Sequence, residues 1–138
     1  MRNVEIEFVS EQQYHDDRES SKLKAKGTME EIDGVKTITY TEPDEELGKS
    51  ETVIEVINNN FIRMTRNGLY QAVFLIEEGK THNCIYKTPF GEMNMDIVAK
   101  RVNAVIPDCS GKILLCYNLE SNGEIIGENN LLMKTNEI

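Results

Sequence analysis

The feature that most constrains this chain is alternation. Val4, Ile6 and Phe8 are interleaved with Asn3, Glu5 and Glu7, and Leu23, Ala25, Gly27 and Met29 with Lys22, Lys24, Lys26, Thr28 and Glu30. A period of two puts every second side chain on one face of a strand, whereas a helix needs apolar residues three and four apart. The same period returns along the chain. Residues 35–41 (Val-Lys-Thr-Ile-Thr-Tyr-Thr) are rich in β-formers, and Thr52, Ile54 and Val56 make the next inward row. Ile62, Met64 and Arg66 share a face; residues 69–76 form a nearly unbroken apolar strand; His82, Cys84, Tyr86 and Thr88 fall on one side of residues 80–88. Met93, Met95, Ile97 and Ala99 form a further row, which 102–106 continue past a bulge that shifts the phase. Ile113, Leu115, Tyr117 and Leu119 point one way, and residues 125–135 complete the pattern.

Turn chemistry separates these runs. Asp33-Gly34, Asn67-Gly68 and Asn122-Gly123 are hairpin dipeptides, and Asn58-Asn59-Asn60, Glu77-Glu78-Gly79, Pro89-Phe90-Gly91 and residues 107–111 read as turns. About ten strands result, at intervals of roughly 8–12 residues, as in a sandwich or barrel. Short connections favour up-and-down order, and accumulated twist favours closure, which removes edges. The expected fold is all-β: one closed antiparallel barrel spanning residues 1–138. Residues 11–21 are the one candidate for a short helix or loop, and residues 42–48 read as a polar loop.

Composition narrows function mainly by exclusion. Twenty-four acids against 15 bases give a net charge of -9, and residues 1–50 carry 13 acids and 7 bases, or -6 of it. Such a surface repels phosphate backbones, so no nucleic-acid partner is expected. Lys22, Lys24 and Lys26 are the one basic run, and they read as a solvated outer face. No apolar run approaches the roughly 18 residues of a membrane helix, and the first residues lack the apolar stretch of a signal peptide. The three cysteines, Cys84, Cys109 and Cys116, are odd in number and lack a Cys-x-x-Cys spacing. Neither a disulfide framework nor a zinc site is expected, and a cytoplasmic location with reduced thiols is. No cofactor motif is legible. Gly48-Lys49-Ser50 has Pro43 where a phosphate loop needs glycine, and Asp44, Glu45 and Glu46 lack the alternate spacing of a calcium loop.

Several motifs carry a resemblance: Arg66-Asn67-Gly68; Gly79 and His82; Tyr86-Lys87-Thr88-Pro89-Phe90-Gly91; the Met93/Met95/Ile97 strand; and Tyr117-Asn118-Leu119-Glu120 with Asn122-Gly123. Over residues 37–134 the chain resembles a bacterial family, the domain of unknown function DUF1934 (YwiB-like). Phe90 stands where that family often has Tyr, and Lys100 where a Thr commonly closes the strand. The resemblance implies a calycin-like closed barrel, similar in shape to lipocalins and fatty-acid-binding proteins. Many such barrels hold small apolar ligands, an analogy of shape and not of site.

Arg66 is the most informative candidate. Its phase with Ile62 and Met64 points a guanidinium into the barrel, where it must meet a carboxylate, backbone carbonyls, water or a ligand anion. His82 and Cys84, two apart on a strand, lack the further ligands a metal needs and the orienting partner a nucleophile needs. Tyr86 and Thr88 serve either as polar contacts or as packing and turn chemistry, and Met64, Met93 and Met95 suit a deformable apolar lining. Gly27 and Ala25 leave space for a cavity or a strand bend. The candidate ligand-binding set is therefore Arg66, His82, Tyr86, Thr88, Met64 and Met95. The leading expectation is non-catalytic binding of a small, partly apolar or anionic ligand. Its rivals are an interaction module with a filled barrel, using its outer surface or the acidic loop at residues 42–48, and an enzyme using His82, Tyr86 and Arg66.

Overall fold

A computed structural model of the chain describes residues 1–14, 16–42 and 50–138. It contains β1 (Arg2–Tyr14), β2 (Asp17–Ile32), β3 (Val35–Thr41), β4 (Glu51–Asn58), β5 (Phe61–Asn67), β6 (Ala72–Glu77), β7 (Thr81–Thr88), β8 (Gly91–Val105), β9 (Gly111–Ser121) and β10 (Glu124–Glu137). Among the described residues there is no helix, hence none long and apolar enough to cross a membrane. The strands form a single antiparallel sheet in the order β6-β5-β4-β3-β2-β1-β10-β9-β8-β7. Sequence neighbours pair throughout except at one point, and β1 joins β10, so the two ends of the chain lie side by side in mid-sheet.

That exception corrects the expectation of a closed barrel, because the barrel is only nearly closed. Consecutive strands β6 and β7 face each other across a seam where a single bridge, Gln71 with Lys87, exchanges two backbone hydrogen bonds of 2.9 and 2.8 Å. The physical reason is the bulge in β8 between Ala99 and Arg101, which redirects the second half of that strand. The diverted backbone meets turns instead of a strand. Gly79 N donates to Ala99 O (2.9 Å), Ala104 N to Asn59 O (2.9 Å), and Val102 N to the Glu78 carboxylate (2.9 Å).

Three further expectations are revised. Residues 11–14 and 17–21 are strand, not helix or loop: β1 and β2 continue as a long hairpin whose register runs to Tyr14↔Asp17. The strand expected at 69–76 begins only at Ala72, because Leu69 and Tyr70 belong to the connection after β5. Gly27 makes a close approach and opens no cavity, since a Cβ there would collide with the Thr39 carbonyl oxygen of β3. The acidic loop, apart from Glu42, lies outside the described residues, as do Gly48 and Lys49. Asp33-Gly34 and Asn122-Gly123 turn with positive φ at both positions (52° and 81°; 53° and 81°), the geometry two-residue hairpins demand.

Alternation becomes core as the pattern requires. Val4, Ile6, Ile38, Ile54, Ile62, Ile97, Val102, Ile113, Leu115 and Met133 are all but fully buried, each worth about 1.5–3 kcal/mol of transfer free energy. Outside, Lys24 meets Glu7 across β1 and β2 (3.6 Å), and Lys26 lies opposite Glu5. The lysine run is thus a charge-balanced outer face. Cys84, Cys109 and Cys116 are free thiols.

Candidate functional site

The inward rows change character along the barrel axis. On β1, Val4, Ile6 and Phe8 are followed in phase by Ser10 and Gln12; on β10, Met133 and Leu131 are followed by Asn129; on β5, Ile62 and Met64 by Arg66. One half of the barrel is therefore filled with aliphatic side chains, and the other opens at the end carrying the β1–β2 and β5–β6 connections. A cleft of about 440 Å³ occupies that mouth. Phe8, Tyr40, Met64 and Leu131 contribute its apolar surface, while Ser10, Ser21, Asn129 and Arg66 contribute polar surface. The Phe8 and Tyr40 rings pack 5.0 Å apart.

Arg66 points inward and is tightly engaged. Its Nη2 donates to Glu42 Oε2 at 3.1 Å and its Nη1 to the Tyr86 hydroxyl at 2.7 Å. The guanidinium carbon lies 5.7 Å from the Phe74 ring centroid and 6.0 Å from that of Tyr86, within range of cation–π attraction. Only 14% of the Arg66 side chain and 8% of the Glu42 side chain are exposed. Glu42 also accepts from the buried Thr52 hydroxyl at 2.6 Å. Burial alone would lower the Arg66 pKa, but Glu42 and Tyr86 more than offset it, and the guanidinium is held charged. Burial raises the Tyr40 hydroxyl far above its ordinary value, with Glu42 adding to the effect and Arg66 opposing it. Burial likewise pushes Tyr117 up to about 12.

The structure brings together only part of the predicted set. Met64 and Arg66 line the cleft, and Tyr86 buttresses Arg66 from behind. Met95 is buried in the core opposite Cys84. Thr88 closes the β7–β8 turn, its hydroxyl donating to Gly91 O (2.9 Å) and accepting from Phe90 N (3.1 Å). His82 sits four residues from Tyr86, roughly 13 Å along the strand, towards the filled end. There its Nε2 lies 2.9 Å from Glu77 Oε1 and its ring stacks on Phe61 at 6.1 Å. Through its hydrogen bond and the nearby Lys80, His82's partner Glu77 is held below the usual carboxylate range. His82, Tyr86 and Arg66 therefore do not converge. Among the described residues, no three His, Cys, Asp or Glu side chains gather to hold a metal ion.

Glu42, Tyr40, Tyr117 and Asn129 are site residues that the sequence reading missed. The signal was present: Glu42 continues the phase of Ile38 and Tyr40, as Asn129 does that of Met133 and Leu131. A polar residue continuing an apolar row marks where the core gives way to a mouth.

Comparison with known proteins agrees with this architecture. The model of a domain of unknown function, DUF1934, matches residues 6–133. The crystal structure of the YwiB protein from Bacillus subtilis superposes with a TM-score of 0.89 at 17% identity, covering 99% of this chain and 92% of that one. No curated protein gives a match.

Proposed function

Since the chain belongs to the DUF1934 family, whose fold supplies a barrel but no activity, we propose from the cleft itself that the protein is a non-catalytic, calycin-type binder of a small, partly apolar molecule. The observation that carries this reading is the 440 Å³ mouth with an aromatic and aliphatic floor beneath polar walls. It falls within the size range of small-molecule sites, and the combination of apolar surface with a few polar groups is their usual make-up. The Arg66–Glu42 pair narrows the charge of the ligand. An anion would have to displace Glu42 from a half-enclosed site, so an uncharged ligand fits better than the anionic one that Arg66 by itself suggested.

Native mass spectrometry of protein purified from its own host tests the proposal. A retained small molecule is expected on the unaltered protein and not on Ser21→Trp, which fills the cleft. Finding only the bare polypeptide mass on the unaltered protein would overturn it.

A second reading, an interaction module, draws on the outer side of the seam. Val73 and Ile85 are half exposed there, and Phe90 is 92% exposed on the adjoining turn. Such apolar surface is a feature of interaction faces when it is contiguous. This reading expects cross-linking to capture one partner that Phe90→Ser with Ile85→Ser no longer captures.

A further inference from the structure

Two hydrogen-bond donors buried in the wall of the cleft are unspent. Asn129 on β10 lies between Gln12 of β1 and Tyr117 of β9, is 5% exposed, and lines the cleft. Its Nδ2 has no partner among the described residues, and neither does Arg66 Nε in the same cleft. A buried amide without a partner loses its hydration and gains nothing in return. Its neighbours show that the position does not compel this. Leu131 and Met133 follow it on the same inward row, and a leucine-sized apolar side chain would satisfy the wall. The nearby hydroxyls are not short of partners, since Ser10 and Ser21 bond each other at 2.7 Å. What these two donors lack is an acceptor.

We propose that Asn129 is a ligand-anchoring residue, and that the cleft takes an uncharged molecule bearing a carbonyl-type acceptor oxygen on a compact apolar body. The inference rests on the binding reading above and specifies its chemistry. On binding, the Asn129 amide turns so that Nδ2 donates to the acceptor. Phe8, Tyr40 and Leu131 enclose the body. Arg66, its charge matched by Glu42, offers Nε as a second neutralised donor and does not select for anions.

The test uses two probes of one shape, acetophenone and ethylbenzene, which differ by a carbonyl against a methylene. Each is titrated into the ¹⁵N-labelled protein. The expected result is cleft binding with acetophenone preferred by about tenfold, the usual size of one satisfied buried hydrogen bond, and a shift of the Asn129 side-chain amide signals with acetophenone alone. Asn129→Leu should erase the preference while raising the melting temperature of the empty protein, because it removes the orphaned amide. Asn129→Asp keeps the shape, replaces the donor with a carboxylate, and should also erase the preference. Equal affinity for both probes in the cleft, a preference that survives either substitution, or a lowered melting temperature in Asn129→Leu would overturn the role of Asn129 while leaving a binding cleft in place. If neither probe perturbs residues of the cleft, the binding reading and this inference fall together.

Discussion

The two ends of this barrel are built from the same strands and the same period, yet one is filled and the other is open. At the filled end, Val4, Ile6, Ile62, Ile76 and Ile113 meet, and the β4–β5 and β6–β7 turns are tied to the diverted backbone of β8. At the mouth, the inward positions carry Ser10, Gln12, Asn129, Arg66 and Glu42, and a cleft remains. The difference shows that strand period determines only which face a residue takes, while the chemistry along each inward row determines how deep the core runs. Polar side chains on an inward row are costly to bury unpaired, so the closely packed core stops where they begin.

This contrast can be broken or sharpened by experiment. The largest effect belongs to the filled end. Ile113→Ala should cost about 2–5 kcal/mol in urea unfolding, because the packed neighbours cannot collapse into the space; a loss under about 1 kcal/mol would mean that this end is as loosely packed as the mouth. Next comes the ion pair. Glu42→Gln leaves Arg66 without its carboxylate and should cost about 1–3 kcal/mol, less than a fully buried pair because the mouth is open. In Glu42→Ala, which empties that place, added formate should restore part of the larger loss, and no restoration would argue that the pair is not the stabilising contact.

Alkaline pH probes the aromatic layer between the two ends. A tyrosine raised in the folded state keeps its proton while the unfolded chain gives its proton up. The stabilisation is therefore complete below the ordinary tyrosine value and is lost as pH rises towards the folded one. For Tyr117, pushed up to about 12, and for Tyr40, raised further, stability should fall between about pH 10 and 12. The tyrosinate absorbance belonging to Tyr40 and Tyr117, assigned by its loss in Tyr40→Phe and Tyr117→Phe, should appear together with unfolding; its appearance in a still-folded protein would contradict their burial. The smallest effect is expected at Glu77. Its carboxyl is lowered, so the His82 contact is present above the ordinary glutamate range and disappears as pH falls through the folded value. Glu77→Gln should change stability least of these variants and leave ligand retention untouched, since His82 is remote from the mouth.

Much of the fold was legible because local chemistry and global architecture agreed. Asp33-Gly34 and Asn122-Gly123 turned as their residue types require, and the phase shift near Lys100 appeared as a bulge. Misreadings arose where polarity masked structure. Residues 11–14 and 17–21 lack apolar alternation because their inward side lines the mouth and not the core, so strands there resembled a loop. The candidate site was half legible for the same reason: Arg66 stood out as a charge in an apolar row, whereas Asn129 and Glu42 looked like ordinary polar residues.

Strand number, the hairpin pairing of successive strands and the inward face were legible in the sequence alone, since each depends on contacts between residues near in sequence and on a period of two, whereas the β1–β10 pairing joins the two ends of the chain. Only the tertiary structure decided that Glu42 on β3's far end meets Arg66 on β5, that His82 faces Glu77 and not the cleft, and that β6 and β7 stay almost unpaired. Those outcomes depend on how ten twisted strands meet after a full circuit, where a bulge of one residue in β8 redirects what lies opposite what.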